Sequence, residues 1–541
     1  MNEVVRKLIN INGMYGSGAF EKPDFPDLKA LLAHMDRFGI SASVTCTVEG
    51  RDLNPLYGNR KLINDCAALP ADMQKRIIPS FVIAPAMLYR QGETEHLLHH
   101  FESHGLRCVS FFPATSRCSV REIEKVISKI TRFDPIVLID AWEMKEKIDY
   151  RDLSDLAQRF QTVSFVIKQA MWWQCSILID LMWRHKNIYA DISWFHFRDA
   201  IKTISNHFGD NRLVFGIGPL AHQGAALASL AYANISTVIR DCIAYGNLEK
   251  LLGFDVTEAR PVNKTPVNPL WNNFLEGNGL SDLDIIDAHG HIGPPARGWY
   301  IPQIEIEEQI AILDKEMTRM GISQLISSPE PALFAHPVSG NLQVEEAVAQ
   351  FKRAKSGFSG YFVYNPHYAD ELSQSVLDQF FSRSYFIGLK ILPEYWRISL
   401  NDTRLLTAWD YAQEHHLPIL IHTWENSSGT AAMAGEIAAR YPGAIILLGH
   451  SGGGDAGRME AEAAAIAHDN VYLEWCGSFT SRIDWHQTIA RVGAHKLVYG
   501  TDTFFHDIAW ELGRLLSLSL TQEQFKMILG QNMRRILAMR R

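Results

Sequence analysis

The chain has 541 residues, 47% of them hydrophobic and 21% charged, with a formal net charge of −8. This length excludes one compact domain and suits two of (β/α)8 size, while the acidic balance excludes the basic footprint of a nucleic-acid binder. No apolar run is long enough to span a bilayer, and seven scattered cysteines form no Cys-x-x-Cys pair, as expected of reduced thiols in a cytoplasmic protein.

The first predicted strand opens near Lys7, which leaves no room before it for a signal peptide. A helix follows with Leu28, Leu31, Leu32 and Met35 on one face and Gly39 as its cap. Strand and helix patterns alternate from there to about residue 255. Residues 256–282 are rich in Pro, Asn and Gly and read as a linker, in which Trp271 and Phe274 are suited to dock on a barrel. Predicted strands of the second half fall near 284–289, 322–328, 358–365, 385–392, 418–423, 444–450, 470–475 and 496–502. The helix before Gly321 carries Ile306, Ile310, Leu313 and Met317 as one stripe.

The two halves repeat one another. Met35-x-Arg37-x-Gly39-Ile40-Ser41 matches Met317-x-Arg319-x-Gly321-Ile322-Ser323, and Ile139-Asp140-Ala141-Trp142-Glu143 matches Ile421-His422-Thr423-Trp424-Glu425. Leu213-Val214-Phe215-Gly216-Ile217-Gly218 matches Leu497-Val498-Tyr499-Gly500-Thr501-Asp502. Order and spacing persist from Asn10 against Asp287 to Gly218 against Asp502, which chance matches would not maintain. Eight strand–helix alternations in each half predict an α/β fold of two tandem (β/α)8 TIM barrels, 1–255 and 283–541, joined by 256–282.

Chemistry in a TIM barrel sits where strands end. Asp287-Ala288-His289-Gly290-His291 ends the first strand of the second half, and two-residue alternation points His289 and His291 the same way. Lys390 lies on strand four, His422 ends strand five, His450 ends strand six and Asp502 ends strand eight. Four histidines and an aspartate at strand ends predict a divalent ion held by nitrogen and carboxylate, with zinc first and manganese second, and a position left for water. Arg297 and Trp299 after strand one, Arg397 after strand four and Trp424 after strand five are substrate-binding candidates. The arginines suit a substrate carboxylate; for the tryptophans, loop packing is the alternative. Cys476, after strand seven, reads as packing.

The motifs DAHGH, GLK, IHTWE, LLGHSGG and VYGTD, in that order, resemble the metal-dependent amidohydrolase superfamily. They are most similar to its amidohydrolase-related branch, which includes aminocarboxymuconate-semialdehyde decarboxylase, the resorcylate decarboxylases and several lactone hydrolases. The resemblance covers the second half. It implies a mononuclear site on a distorted TIM barrel, with His289, His291, His422 and Asp502 as ligands and His450 polarising or orienting substrate or water. Lys390 matches the place where binuclear relatives carry a metal-bridging carboxylated lysine and mononuclear ones a polar support; one ion is expected. On this reading the ion acidifies a water, Asp502 takes and returns a proton, and His450 stabilises oxyanion charge or steers the water.

In the first half the repeat sets Asn12 against His289, Met14 against His291, and Asp140 against His422. It sets Lys168 against His450, Gly218 against Asp502 and Ser110 against Lys390. Met14 and Lys168 are poor ligands, so this barrel is expected to be degenerate and metal-free, with Lys168 and Asp140 ion-paired in the vacated site. The tandem halves suggest an intramolecular pseudo-dimer, open to further self-association. Trp172, Trp173, Trp183 and Trp194 are candidates for its interface or for the core.

Two reactions use such a ligand set on a small-molecule substrate. One is hydrolysis of an amide, lactone or ester bond; the other is non-oxidative decarboxylation of an unsaturated or aromatic acid. Hydrolysis is expected, because no arginine is securely placed to hold a substrate carboxylate beside the metal. A non-catalytic binding protein fits the first half and not the second.

Overall fold

The computed structural model describes residues 7–257, 267–280, 282–295, 304–351 and 357–541. The chain forms two compact units, Asn2–Val267 and Asn268–Arg541. The division falls inside the expected linker. Asn268 caps the helix Pro269–Leu275 and donates to the Leu516 and Leu518 carbonyls, so that helix, with Trp271 and Phe274 buried, packs on the second unit.

Each unit is an eight-stranded parallel sheet in which chain neighbours are sheet neighbours. The first comprises β1 (Ile9–Tyr15), β2 (Ala42–Thr47), β3 (Ile77–Ile83), β4 (Cys108–Phe111), β5 (Ile136–Asp140), β6 (Ser164–Lys168), β7 (Ile188–Asp191) and β8 (Leu213–Val214). The second comprises β9 (Ile285–Ile292), β10 (Ile322–Pro329), β11 (Gly357–Val363), β12 (Phe386–Ile391), β13 (Pro418–His422), β14 (Ile445–Gly449), β15 (Val471–Glu474) and β16 (Leu497–Val498). The first sheet closes through the Ile11 amide on the Phe215 carbonyl, and the second through the Ala288 amide on the Tyr499 carbonyl. Both units are therefore (β/α)8 barrels. Inward side chains such as Ile136 and Leu138, or Ile445 and Leu447, fill the interior at alternate positions. The helices before β2 and β10 end at Gly39 and Gly321 in left-handed conformation.

The strand containing His289 has a β-bulge. Its register against β10 shifts between Leu325 and Ser327, where three β9 steps oppose two. The extra residue inverts the alternation, so that Ile286 and Ala288 line the core and His289 and His291 also face inward above them. β1 bulges at the matching place, between Asn10 and Gly13.

Paired side-chain brackets repeat the architecture. Asn187 donates to the Ala157, Phe160 and Val163 carbonyls, and Asn470 to those of Ala438, Tyr441 and Ala444. Asn10 Oδ1 accepts from the Ile217 amide, and Asp287 Oδ1 from that of Thr501, tying strand one to the segment after strand eight. That segment leaves the ladder early: β16 ends at Val498 rather than near 502, because the Tyr499 amide turns to the Ile528 carbonyl. Among the described residues no helix is long and apolar enough to cross a membrane.

Candidate metal centre

Three donors converge at the carboxyl end of the second barrel. His291 Nε2 lies 2.9 Å from Asp502 Oδ1, and His289 Nε2 lies 3.4 Å from the same oxygen. Each imidazole is backed by a carboxylate: Glu474 Oε2 is 3.1 Å from His289 Nδ1, and Glu330 Oε1 is 2.9 Å from His291 Nδ1. A carboxylate near Nδ1 with Nε2 turned to the centre is the arrangement that orients metal-binding histidines. Asp502 is set by its backbone, with φ at 60° and its amide 2.7 Å from the His289 carbonyl. Burial alone would raise the Asp502 pKa; His289, His506 and hydrogen-bonded His291 outweigh it and hold the carboxyl well below its usual range. Burial and the nearby Lys390 keep His289 neutral, whereas at His291 the Asp502 and Glu330 carboxylates outweigh burial and raise the pKa. An ion bound here would displace the His291 Nε2 proton, and the two imidazoles and the ionised carboxylate then fit a divalent ion.

Residues 286–539 match the family model described as Amidohydrolase. The second barrel belongs to the amidohydrolase family. No match to the chain is found among curated proteins. Solved structures similar to the chain include 2,6-dihydroxybenzoate decarboxylase from Rhizobium, at 11% identity over 46% of this chain and 99% of that one, with a TM-score of 0.36. A dihydroxybenzoic acid decarboxylase from Polaromonas sp. JS666, with bound manganese and 2-nitroresorcinol, matches at 11% identity over 46% and 97%, TM-score 0.36. An uncharacterized TIM-barrel protein from Bordetella bronchiseptica matches at 16% identity over 48% and 99%, TM-score 0.35.

The amidohydrolase barrel does not gather His422 with the other three expected ligands. Its Nε2 lies 3.1 Å from Glu394 Oε2, and its ring packs against His450 at 4.6 Å between centroids. The Glu394 carboxylate, held below its ordinary pKa chiefly by that hydrogen bond, claims the nitrogen. His450 stands behind the centre. Its Nδ1 donates to the Cys476 carbonyl at 3.2 Å and its amide to Glu474 Oε2 at 3.0 Å. Burial, then neighbouring His422, push its pKa far down, so it is neutral. Lys390, 1% exposed, places Nζ 2.8 Å from His289 Nε2. Burial lowers its pKa to about 8 against the pull of Asp502, Cys476 and Glu474.

Of the substrate-binding candidates, Trp424 lies parallel to the His422 ring at 6.2 Å and 6.0 Å from that of His450, and so forms part of the wall. Arg397 is exposed, with φ at 55°, where the short helix Pro393–Trp396 ends, and the structure does not bring it to the centre. Arg297 and Trp299 lie outside the described residues. The sequence reading passed over Glu330, Glu394 and Glu474. Cys476 Sγ packs within 3.2 Å of His289 Nδ1 and 3.3 Å of Glu474 Oε2.

The first barrel keeps the frame with other side chains. Asn12, in the place of His289, donates to Asp191 Oδ2 at 2.7 Å, as His289 meets Glu474. Strand register corrects one expected correspondence. Asp140 pairs with Lys168, whereas His422 pairs with Gly449, so Lys168 matches Gly449 and Gln169 matches His450. Gln169 and His450 both have positive φ, 58° and 64°, and both amides donate to the strand-seven carboxylate. The expected Lys168–Asp140 ion pair is also corrected. Asp140 accepts from the Trp142 amide and from Gln169 Nε2, each at 2.9 Å, while the Lys168 ammonium lies 5.5 Å from the Phe112 ring centroid. Lys168 acts on Asp140 through space, opposing the upward push of burial on its pKa.

Proposed function

We propose that the amidohydrolase barrel hydrolyses an amide, lactone or ester bond of a small molecule, using one zinc or manganese ion held by His289, His291 and Asp502. His422 completes the set when its hydrogen bond to Glu394 opens. The observation that carries this reading is an ionised Asp502 whose Oδ1 sits between two carboxylate-backed imidazole nitrogens. A divalent ion bound there would supply Lewis acidity and make water a better nucleophile. Asp502 takes a proton from the attacking water and returns it to the leaving group. His450 has its Nδ1 proton committed to the Cys476 carbonyl. Its Nε2 is then an acceptor, suited to steering the water rather than to donating to an oxyanion.

Decarboxylation is the second reading, and Lys390 favours it. This buried ammonium beside His289 is the cation that a substrate carboxylate requires, a role first sought among the arginines. A panel of lactones, amides and carboxylic acids, scored separately for hydrolysis products and for carbon dioxide, decides between the two. Asp502→Asn should cut hydrolysis at least about 100-fold while retaining part of the metal. Unchanged turnover in that variant would contradict the mechanism.

A further inference from the structure

Lys168 ends β6 in the first barrel with only 5% of its surface exposed. Among the described residues its ammonium meets no hydrogen-bond acceptor; its contact is the face of Phe112. The neighbouring acids are occupied. Asp140 is held by the Trp142 amide and Gln169, and Asp191 accepts from Asn12 at 2.7 Å, the Gln169 amide at 2.8 Å and the Ser193 hydroxyl at 2.9 Å. The ammonium is thus the charged group of this floor that these hydrogen bonds leave open to a ligand entering from the mouth.

The mouth above Lys168 differs from its twin in two ways. It is more open: Asn12, Met14 and Gln169 are part-exposed, whereas His289, His291 and His450 are buried. It is also walled with indole. Trp142, Trp172, Trp173 and Trp194 follow β5, β6 and β7, the strands that end in Asp140, Lys168 and Asp191. Trp142 meets Trp194 edge-to-face at 4.7 Å and Trp173 at 6.0 Å. At the register of β6 and β7, Trp172, Trp173 and Trp194 stand where the second barrel has Gly453, Gly454 and Gly477. Trp142 and Trp173 remain 48% and 40% exposed, an unusual cost for paired indoles on a surface.

The geometry points to a second ligand site: the first barrel binds a planar organic anion, with its carboxylate on the Lys168 ammonium and its ring against Trp142 and Trp173. An aromatic or heteroaromatic carboxylic acid has both features. A cation, which indoles alone would also accept, meets Lys168 at the floor, while the acids that could attract it, Asp140 and Asp191, are already taken up by hydrogen-bond donors. Among the described residues no cluster of metal-ligating side chains lies there, so the proposal involves no metal, and it stands whatever reaction the second barrel performs.

Calorimetric titration of the metal-stripped full chain tests this, with His291→Ala to silence the second barrel and 2-naphthoate as probe. One saturable site per chain is expected, with 2-naphthamide at least tenfold weaker. Lys168→Met should weaken 2-naphthoate at least tenfold and Lys168→Arg less than that. Trp142→Ala, at a half-exposed position that folding tolerates, should weaken it about fivefold and keeps the test decisive if Lys168→Met does not fold. Absence of saturable binding, equal binding of the amide, or affinity unchanged by the Lys168 and Trp142 substitutions would overturn the proposal.

Discussion

Glu474 braces the candidate metal centre from behind. Its Oε2 meets His289 Nδ1, the His450 amide and the Cys476 thiol, and its Oε1 accepts the Cys476 amide. It fixes the orientation of His289 and the placement of His450 together. Glu474→Gln should lower metal affinity roughly 10- to 100-fold, as substitutions of ligand-orienting partners do, read by competition with a fluorescent chelator; unchanged affinity would remove this role. In sequence Glu474 is one more acid. The signal was its position, a lone charge ending the apolar run Val471-Tyr472-Leu473. Asp191 holds the same place in the first barrel, and burial pushes its pKa up to about 6 against hydrogen bonds from Gln169 and Ser193. A raised carboxyl pKa costs nothing below about pH 4, where folded and unfolded chains both hold the proton. The penalty grows as pH climbs to 6 and stays above it, reaching on the order of 3 kcal/mol. Asp191→Asn removes that dependence, so its stability relative to wild type should rise between pH 4.5 and pH 7, measured as the difference in urea midpoints. A pH-independent difference would contradict the assignment.

At the scale of elements, the loop after β15 shows how backbone shape protects the chemistry. Gly477 has φ at +65°, and a Cβ there would lie 2.1 Å from His450 Nδ1. Gly477→Ala must shift the loop or the imidazole, so turnover should fall at least about tenfold while metal content is retained; full activity would show that His450 is not placed by this loop. The eight strands of the second half were legible because parallel barrel strands are short apolar runs that follow one another around the sheet, and the repeat extended that order to the first half. Lys168 was set against His450 because one residue fewer separates β13 from β14 than β5 from β6. Only the ladder, with Asp140 opposite Lys168 and His422 opposite Gly449, reveals that slip. His422 and Glu394 were not foreseen as partners, since a loop acid that captures a histidine leaves no periodic trace.

For the molecule as a whole, two barrels of one architecture differ in what their carboxyl ends hold. The bulges, the asparagine brackets and the strand-seven acids recur in both. The converging imidazoles and the positive-φ aspartate occur in the second, where His289, His291 and Asp502 have Asn12, Met14 and Gly218 as counterparts. That contrast was readable from the repeat, because ligand identity survives alignment even where exact register does not. Its direct test is the metal content of the purified full chain by mass spectrometry, beside His289→Ala/His291→Ala and Asn12→Ala/Met14→Ala double variants. One divalent ion per chain, lost in the first variant and kept in the second, is the predicted result. Metal retained without His289 and His291, or lost without Asn12 and Met14, would contradict the account.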